Sequence, residues 1–73
     1  MRLTSFTLRK AGVALYGEQW RSELARARGV TDRTVRRWVH DEYSIPDDAR
    51  EQIIELCRAR VEMLNAVRRR LEK

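Results

Sequence analysis

Four basic side chains recur at helical spacing within one short stretch: Arg33, Arg36, Arg37 and His40. Arginine binds two kinds of group on a nucleic acid, the O6 and N7 edge of guanine and the phosphate oxygens. On a helix Arg33 and Arg37 repel each other at a cost of about 0.2–0.5 kcal/mol, a repulsion that a neighbouring polyanion relieves. An ordinary solvated face is the alternative, since most runs of charge are of that kind. The pattern favours contact with nucleic acid.

The remaining reactive side chains do not form a catalytic or metal-binding set. A single cysteine, Cys57, cannot form an internal disulfide, and no Cys/His cluster has the spacing of a metal site. Asp47 and Asp48 are explained by the start of a helix, and no nucleophile–base set accompanies them. His40 is the only histidine and has no partner in view. We therefore expect a binding protein that is not an enzyme and needs no cofactor, metal or small-molecule ligand.

Positive charge is concentrated in two parts of the chain. The formal net charge is +5 at pH 7, but residues 21–40 and 57–73 each carry +4, whereas residues 41–56 carry −5. Overall basicity alone fits nucleic acid and an anionic membrane about equally. No apolar run is long enough to span a bilayer, and the first residues are not followed by a signal-peptide core. We expect a soluble, cytoplasmic protein that binds DNA rather than a membrane.

Residues 20–40 have the spacing of a helix-turn-helix. Ala25 lies four residues before Gly29 and thirteen before Trp38. A small residue lets two helices cross closely, a glycine takes positive φ in the turn, and an aromatic residue holds the second helix against the first. Thr31 can cap that second helix through its hydroxyl. The pattern predicts a helix over about 18–28 and a recognition helix after Thr31, behind a covering helix over about 5–16 that Thr4 or Ser5 caps and Gly17 ends.

The basic face divides into two sets of expected contacts. Arg33, near the helix start, and Arg37, one turn later, would point deepest into a major groove. Asp32 could accept from a cytosine amino group, or it could instead hold Arg36. The predicted base readers are Thr31, Asp32, Arg33 and Arg37, and the predicted phosphate contacts are Arg21, Arg36, His40, Tyr43 and Ser44.

Three larger side chains near this face have a structural interpretation. Trp20 and Trp38 could stack on unpaired bases, but both fall at core positions of the motif, which favours packing. Arg28 stands where an apolar residue is expected before the turn glycine. We interpret it as an arginine with a buried stem and an exposed head, rather than as a phosphate contact.

The segment of about 46–72 contains no glycine and no proline after Pro46, which predicts one long helix. Such a helix extends about 40 Å, whereas a single domain of 73 residues is roughly 25 Å across. The overhanging part needs a partner, and a second copy of the chain is the simplest one. A bend near residues 57–60 in a monomeric domain is the alternative. The predicted dimerisation residues are Cys57, which can also act as a small buried apolar residue, with Arg60, Val61, Leu64, Val67 and Leu71.

The motif WRSELARARGVTDRTVRRW resembles the helix-turn-helix of the lambda-repressor/Cro-like family, and residues 5–57 fit that family's helix order. The segments VTDRTVRRW and IPDDAREQIIELCRARVEMLNAVRRRLE are further similar to small anti-CRISPR-associated repressors of phages and mobile elements. The resemblance implies a homodimer on an inverted-repeat promoter site, base readers at Thr31, Asp32, Arg33 and Arg37, and Arg21 on phosphate. Two departures, Arg28 and the pair His40-Asp41 in place of the usual glycine, affect the docking angle.

Taken together, these observations predict an all-α chain, residues 1–73, forming one compact helix-turn-helix bundle of about four helices with a long C-terminal helix used for dimerisation. The expected function is a sequence-specific repressor that binds double-stranded DNA at a palindromic operator as a homodimer. The alternative is a protein-binding adaptor, such as an antitoxin, whose C-terminal helix grips a different protein.

Overall fold

The computed structural model describes residues 3–40 and 44–73, and all regular structure within these ranges is helical. Helix α1 spans Ser5–Tyr16, α2 spans Trp20–Arg28, α3 spans Asp32–Val39 and α4 spans Asp47–Leu71. A 3-10 turn, Gly17–Gln19, precedes α2 and takes up the residues at which the sequence predicted the second helix to begin. The predicted all-helical class and long C-terminal helix are confirmed.

Helix α1 covers the back of α2 and α3. Its start is capped as predicted, because the Thr4 hydroxyl accepts from the Thr7 N–H at 3.2 Å. Leu8 and Leu15 are buried on the inner face of α1. Between them Gly12 lies against Trp20, and a Cβ added to this glycine would stand 2.1 Å from the indole ring. Gly12 therefore permits the close approach of α1 and Trp20.

The turn between α2 and α3 has the hydrogen bonds of a Schellman motif. Gly29 adopts the left-handed conformation, with φ 76° and ψ 29°, as the sequence predicted. The Val30 N–H donates to the Ala25 carbonyl at 2.9 Å, and the Gly29 N–H donates to the Arg26 carbonyl at 3.3 Å. These bonds satisfy the last carbonyls of α2 and reverse the chain direction, which lets α3 cross α2.

The core lies where α1, α2 and α3 meet, with the base of α4 closing one side. Val35 and Trp38 of α3 are buried against Leu24 and Ala25 of α2, so the predicted packing of the helix-turn-helix is confirmed. Both tryptophans belong to this core rather than to the surface. The buried apolar residues are Leu8, Leu15, Trp20, Leu24, Ala25, Val35, Trp38, Val39, Ala49 and Ile53.

Helix α4 runs unbroken through residues 57–60, where the sequence left a bend open. At about 38 Å it is longer than the two shorter dimensions of the molecule, which measures 48 × 25 × 20 Å. Only Ala49 and Ile53 of α4 are buried, and both lie in its first two turns. The expected overhang is therefore present.

Four side chains, those of Arg28, Asp48, Gln52 and Arg60, connect the part of α4 up to residue 60 to the rest of the molecule. Arg28 donates to Gln52 at 2.9 Å and forms an ion pair with Asp48 at 2.8 Å, while Gln52 donates to the Ala27 carbonyl at 3.1 Å. Arg60 donates to the Leu15 carbonyl at 2.7 Å. The Arg28 side chain is 17% exposed, and its guanidinium, for which the sequence indicated no partner, is bonded to Gln52 and Asp48 and holds α4 in place. The hydrogen bond from Arg28 lowers the pKa of the Asp48 carboxyl below its ordinary value.

Candidate nucleic-acid interface

Helix α3 has one apolar face and one basic face, and the packing fixes which of them is outside. Val35, Trp38 and Val39 are buried, which orients the helix on α1 and α2. Arg33, Arg36 and His40 are exposed on the other side, and Arg37 is half-buried. A short helix held by three buried side chains presents its outer side chains in a fixed direction. The residues Thr31, Asp32, Arg33, Arg36, Arg37 and His40 are referred to below as the recognition face.

The N-terminus of α3 is capped by the predicted residue. The Thr31 hydroxyl accepts from the Thr34 N–H at 3.3 Å and lies 3.2 Å from the Thr34 hydroxyl. Thr31 is exposed, so its hydroxyl lies at the surface while it caps α3. The first turn of α3 therefore combines an exposed cap, the positive end of the helix dipole and a neighbouring arginine, Arg33, all suited to acceptor groups on DNA.

Asp32 has a partner that the sequence did not predict. Its carboxylate accepts from the Ser22 hydroxyl at 3.0 Å, which links the first turn of α3 to α2. The sequence instead offered a cytosine amino group or Arg36 as partners. A carboxylate held in this way keeps an oxygen for a further donor, since each carboxylate accepts several hydrogen bonds. Its position at the start of α3 also suits the positive end of the helix dipole.

A shallow cleft of about 410 Å³ brings together three of the predicted phosphate contacts, Arg21, Arg36 and His40. Arg21 comes from the first turn of α2, Arg36 comes from the C-terminal half of α3, and His40 is the residue that follows α3. The Arg21 guanidinium lies 5.0 Å from the centre of the Trp20 ring, so a buried indole steadies it. Two arginines and an imidazole converge here beside the carboxylates of Glu18 and Asp32, and the arginines can donate to an anionic group such as a phosphodiester. The cleft is lined by Glu18, Gln19, Arg21, Ser22, Asp32, Arg36 and His40.

Two predicted phosphate contacts lie beyond α3. Ser44 is exposed before α4. Tyr43 falls outside the described residues, as does Asp41 of the pair that departs from the family pattern.

The residues predicted for dimerisation lie in two settings. Cys57 is half-buried against the core, and Arg60 is bonded to Leu15 of its own chain. Arg60 also lies 5.9 Å from the centre of the Tyr16 ring. The more distal residues are open to solvent, with exposed fractions of 57% for Val61, 60% for Leu64, 48% for Val67 and 80% for Leu71.

Several residues with a part in this arrangement were not found from the sequence. Ser22 and Gln52 carry no local signal, since their partners lie ten and more than twenty positions away. Glu18 and Gln19 line the cleft because the 3-10 turn brings them beside α3. Only the fold reveals such residues.

Within residues 3–40 and 44–73, no group of His, Cys, Asp and Glu side chains could hold a metal ion. None of the helices in these ranges combines the length and the apolarity needed to cross a bilayer. No family model matches the chain, and no curated protein or solved structure matches it either.

Proposed function

We propose that this chain is a sequence-specific double-stranded DNA-binding transcriptional repressor that acts as a homodimer on an inverted-repeat promoter site. The observation that carries the proposal is the recognition face, a basic helix surface that three buried side chains hold outward. A helix so held fits the major groove, which admits an α-helix and exposes a distinct pattern of acceptors and donors at each base pair.

The proposal assigns base contacts and phosphate contacts to different residues of this face. Arg33 stands on the first turn of α3 and Arg37 one turn later, so both would reach the floor of a groove that the N-terminal half of α3 enters. Arg21, Arg36 and His40 share a cleft at the other edge, where the sugar-phosphate backbone would pass. Base contacts give specificity, and phosphate contacts give position and salt dependence.

The resemblance to lambda-repressor/Cro-like regulators, including the anti-CRISPR-associated ones, supports repression as the outcome of binding. A small protein that covers a promoter needs no ligand site to exclude the transcription machinery. Dimerisation is part of the proposal because one recognition helix reads only half of an inverted repeat. The exposed apolar residues of α4 supply a surface for it.

The experiment that tests the proposal selects bound fragments from random double-stranded DNA at a fixed salt concentration and then measures affinities for the selected site. Arg33→Ala and Arg37→Ala are each expected to weaken binding by about 1–3 kcal/mol and to relax the preference at one base pair. Arg21→Ala is expected to weaken binding to all sequences alike and to reduce the salt dependence by about one counterion.

Arg9→Ala is the matched control, because it removes an exposed arginine from α1, the helix that covers the back of α2 and α3, and Arg9 does not line the cleft. It should leave the selected sequence and its affinity nearly unchanged. If Arg33→Ala and Arg37→Ala both bind the selected site like the unmodified protein, the assignment of readers is wrong. If no sequence is enriched, the function itself is wrong.

A second candidate, a protein-binding adaptor such as an antitoxin, is favoured by one observation, the exposed apolar side of α4 beyond its second turn. A different protein could cover that surface. Light scattering on the pure protein separates the two, since a repressor of this kind is a dimer without any other component, whereas an adaptor would be a monomer.

A further inference from the structure

We infer that the second copy of the chain binds through antiparallel pairing of the two α4 helices, with the end of each α4 seated in an apolar groove of the other copy. The inference rests on the homodimer proposed above and adds its orientation, its register and the groove that receives the helix end. Three observations carry it: the side of α4 left free, the position of the groove and the distribution of charge along α4.

The contacts of α4 with its own chain select the side that is left free. Ile53 is buried, and Arg60 is bonded to the Leu15 carbonyl, so neither faces outward. Among the apolar residues that remain, one set is spaced alternately three and four apart, with Arg68 at one position, which is the heptad pattern of a helix-pairing seam. This α4 seam consists of Ile54, Cys57, Val61, Leu64, Arg68 and Leu71. Leu56, Met63 and the predicted dimerisation residue Val67 lie outside this set.

The groove lies beside the proximal half of the seam. It has a volume of about 670 Å³, with Leu3, Thr7 and Ala11 on the α1 side and Ile54, Cys57 and Val61 on the α4 side. Its other lining residues are Arg50, Ile53, Arg58 and Glu62, so six of the ten are apolar and three of the ten belong to the seam. A helix that pairs with the seam would extend directly into the groove, and an apolar side chain such as Leu71 fits it.

Charge along α4 determines the orientation. Residues 47–57 carry four carboxylates and one arginine, a net charge of −3, whereas residues 58–73 carry six cations and two carboxylates, a net charge of +4. Parallel pairing would place two basic halves side by side. Antiparallel pairing places each basic half beside an acidic half, which lowers the electrostatic energy and selects this orientation.

The seam also fixes the register. If Val61 packs opposite Leu64 of the second copy, Ile54 meets Leu71 and Cys57 meets Arg68, so every seam position has a partner. The same register brings Glu55 near Arg69 and Arg70 of the second copy. Arg68 can lay its aliphatic stem along the seam and keep its head at the edge, where Glu72 is 3.6 Å away.

This register has a consequence for DNA. The two-fold axis passes between Glu62 and Met63, and the body of each copy meets α4 around Ala49 and Ile53. At 1.5 Å per residue, the two points of attachment are about 35 Å apart along the helix pair. That distance is close to one turn of B-DNA, the separation that paired recognition helices require.

Disulfide trapping tests the orientation and the register without DNA. The variant Arg68→Cys retains Cys57, and antiparallel pairing brings these two positions face to face across the interface. Under mild oxidation this variant is expected to form a covalent dimer. Within one chain the two positions are about 16 Å apart along α4, too far for a disulfide.

Two proteins serve as controls. The unmodified chain should not form a covalent dimer, because the two Cys57 residues would lie about 16 Å apart, and the double variant Cys57→Ser/Arg68→Cys should not form one for the same reason. Covalent dimers of the unmodified chain would indicate parallel pairing and overturn the proposal. Absence of a covalent dimer from Arg68→Cys would overturn it as well.

The oligomeric state supplies an independent measurement. Light scattering is expected to find a dimer for the unmodified chain, and Leu64→Glu should weaken it by at least about tenfold, since a carboxylate would enter the seam twice. Phe6→Glu is the control, because Phe6 is an equally exposed apolar residue of α1 outside the groove. Circular dichroism checks that both variants remain folded. A monomeric unmodified chain would contradict the proposal and favour the adaptor.

These results are separable from those on DNA binding. A trapped antiparallel dimer that enriches no DNA sequence would refute the repressor and leave this interface standing. Enrichment of an operator sequence, without a covalent dimer from Arg68→Cys, would refute this interface and leave the repressor standing.

Discussion

Helix α3 and the distal part of α4, residues 61–71, both present arginines to solvent, yet they are supported very differently. Helix α3 has eight residues, of which three are buried. Helix α4 has 25 residues, of which only Ala49 and Ile53 are buried, both near its start. The position of a helix in a fold is determined by the side chains it buries, not by its length.

Because the two helices differ in how firmly they are held, their arginines suit different kinds of contact. An arginine on α3 has a fixed direction and can discriminate one hydrogen-bonding edge from another. Arginines such as Arg69 and Arg70 stand on a helix end that buries no side chain against its own chain, so they suit charge pairing with an acidic surface. The contrast between a fixed helix and a projecting one leads to three predictions about stability.

The largest effect is expected from Trp38→Ala, which removes support from α3. Truncation of a buried tryptophan costs about 3–5 kcal/mol, and the whole stability of a domain of this size is roughly 4–11 kcal/mol. The variant should be largely unfolded or close to it in chemical denaturation followed by circular dichroism. Phe6→Ala is the control, since its side chain is 68% exposed and its loss should change little. If Trp38→Ala and Phe6→Ala are equally stable, the buried side chains of α3 do not hold it in place as inferred here.

A smaller loss is expected from Gly12→Ala, which forces α1 away from α2. The added methyl group would overlap the Trp20 ring, and overpacking of this kind costs about 1–3 kcal/mol. The denaturation midpoint should fall accordingly. In the double variant Gly12→Ala/Trp20→Leu the smaller side chain leaves room for the methyl group, so the combined loss should be less than the sum of the single losses. If the loss of stability in the double variant equals the sum of the two single losses, the contact between residue 12 and Trp20 is not the reason for the glycine.

The smallest effect concerns the attachment of α4 to α2. Because Arg28 lowers the pKa of Asp48, the pair stabilises the fold fully above the ordinary carboxyl pKa of 3.8. That contribution is lost as the pH falls from there through the lowered pKa of the folded state. Asp48→Asn should therefore destabilise the protein slightly at neutral pH, and the difference from the unmodified chain should disappear in acid.

Asp47→Asn is the control for that measurement, since it removes the same charge from the same helix turn. Thermal unfolding across the acid range makes the comparison. A constant difference between Asp48→Asn and the unmodified chain at every pH would show that the Arg28 pair does not contribute through ionisation.

Local chemistry made most of the fold predictable from the sequence. Four helix ends depend on bonds between residues that are close in the sequence, so the residue types at these positions predict where the helices begin and end. The four residues are Thr4, Gly17, Gly29 and Thr31. The spacing from Ala25 to Trp38 then places α3 on α2. The 3-10 turn was not predicted, because its residues are as compatible with the start of α2 as with a separate turn.

The supports of the site were less predictable. Asp32 was expected to face DNA or Arg36, and its bond to Ser22 depends on how α2 crosses α3. Arg60 was predicted to lie among the dimerisation residues, whereas in the fold it donates to a carbonyl of α1. Long polar side chains find their partners only after the helices have packed, so a one-dimensional pattern identifies the helix face but not the bond.

The bond between Arg60 and the Leu15 carbonyl has a mechanical consequence. About ten residues of helix follow it, so α4 acts as a lever of about 16 Å pivoting near the end of α1. A tilt of about 10° at this pivot would move the helix tip by about 3 Å. In the proposed dimer, the Arg60 bond and the contacts of Arg28 with α4 would together limit how much the spacing between the two copies can vary.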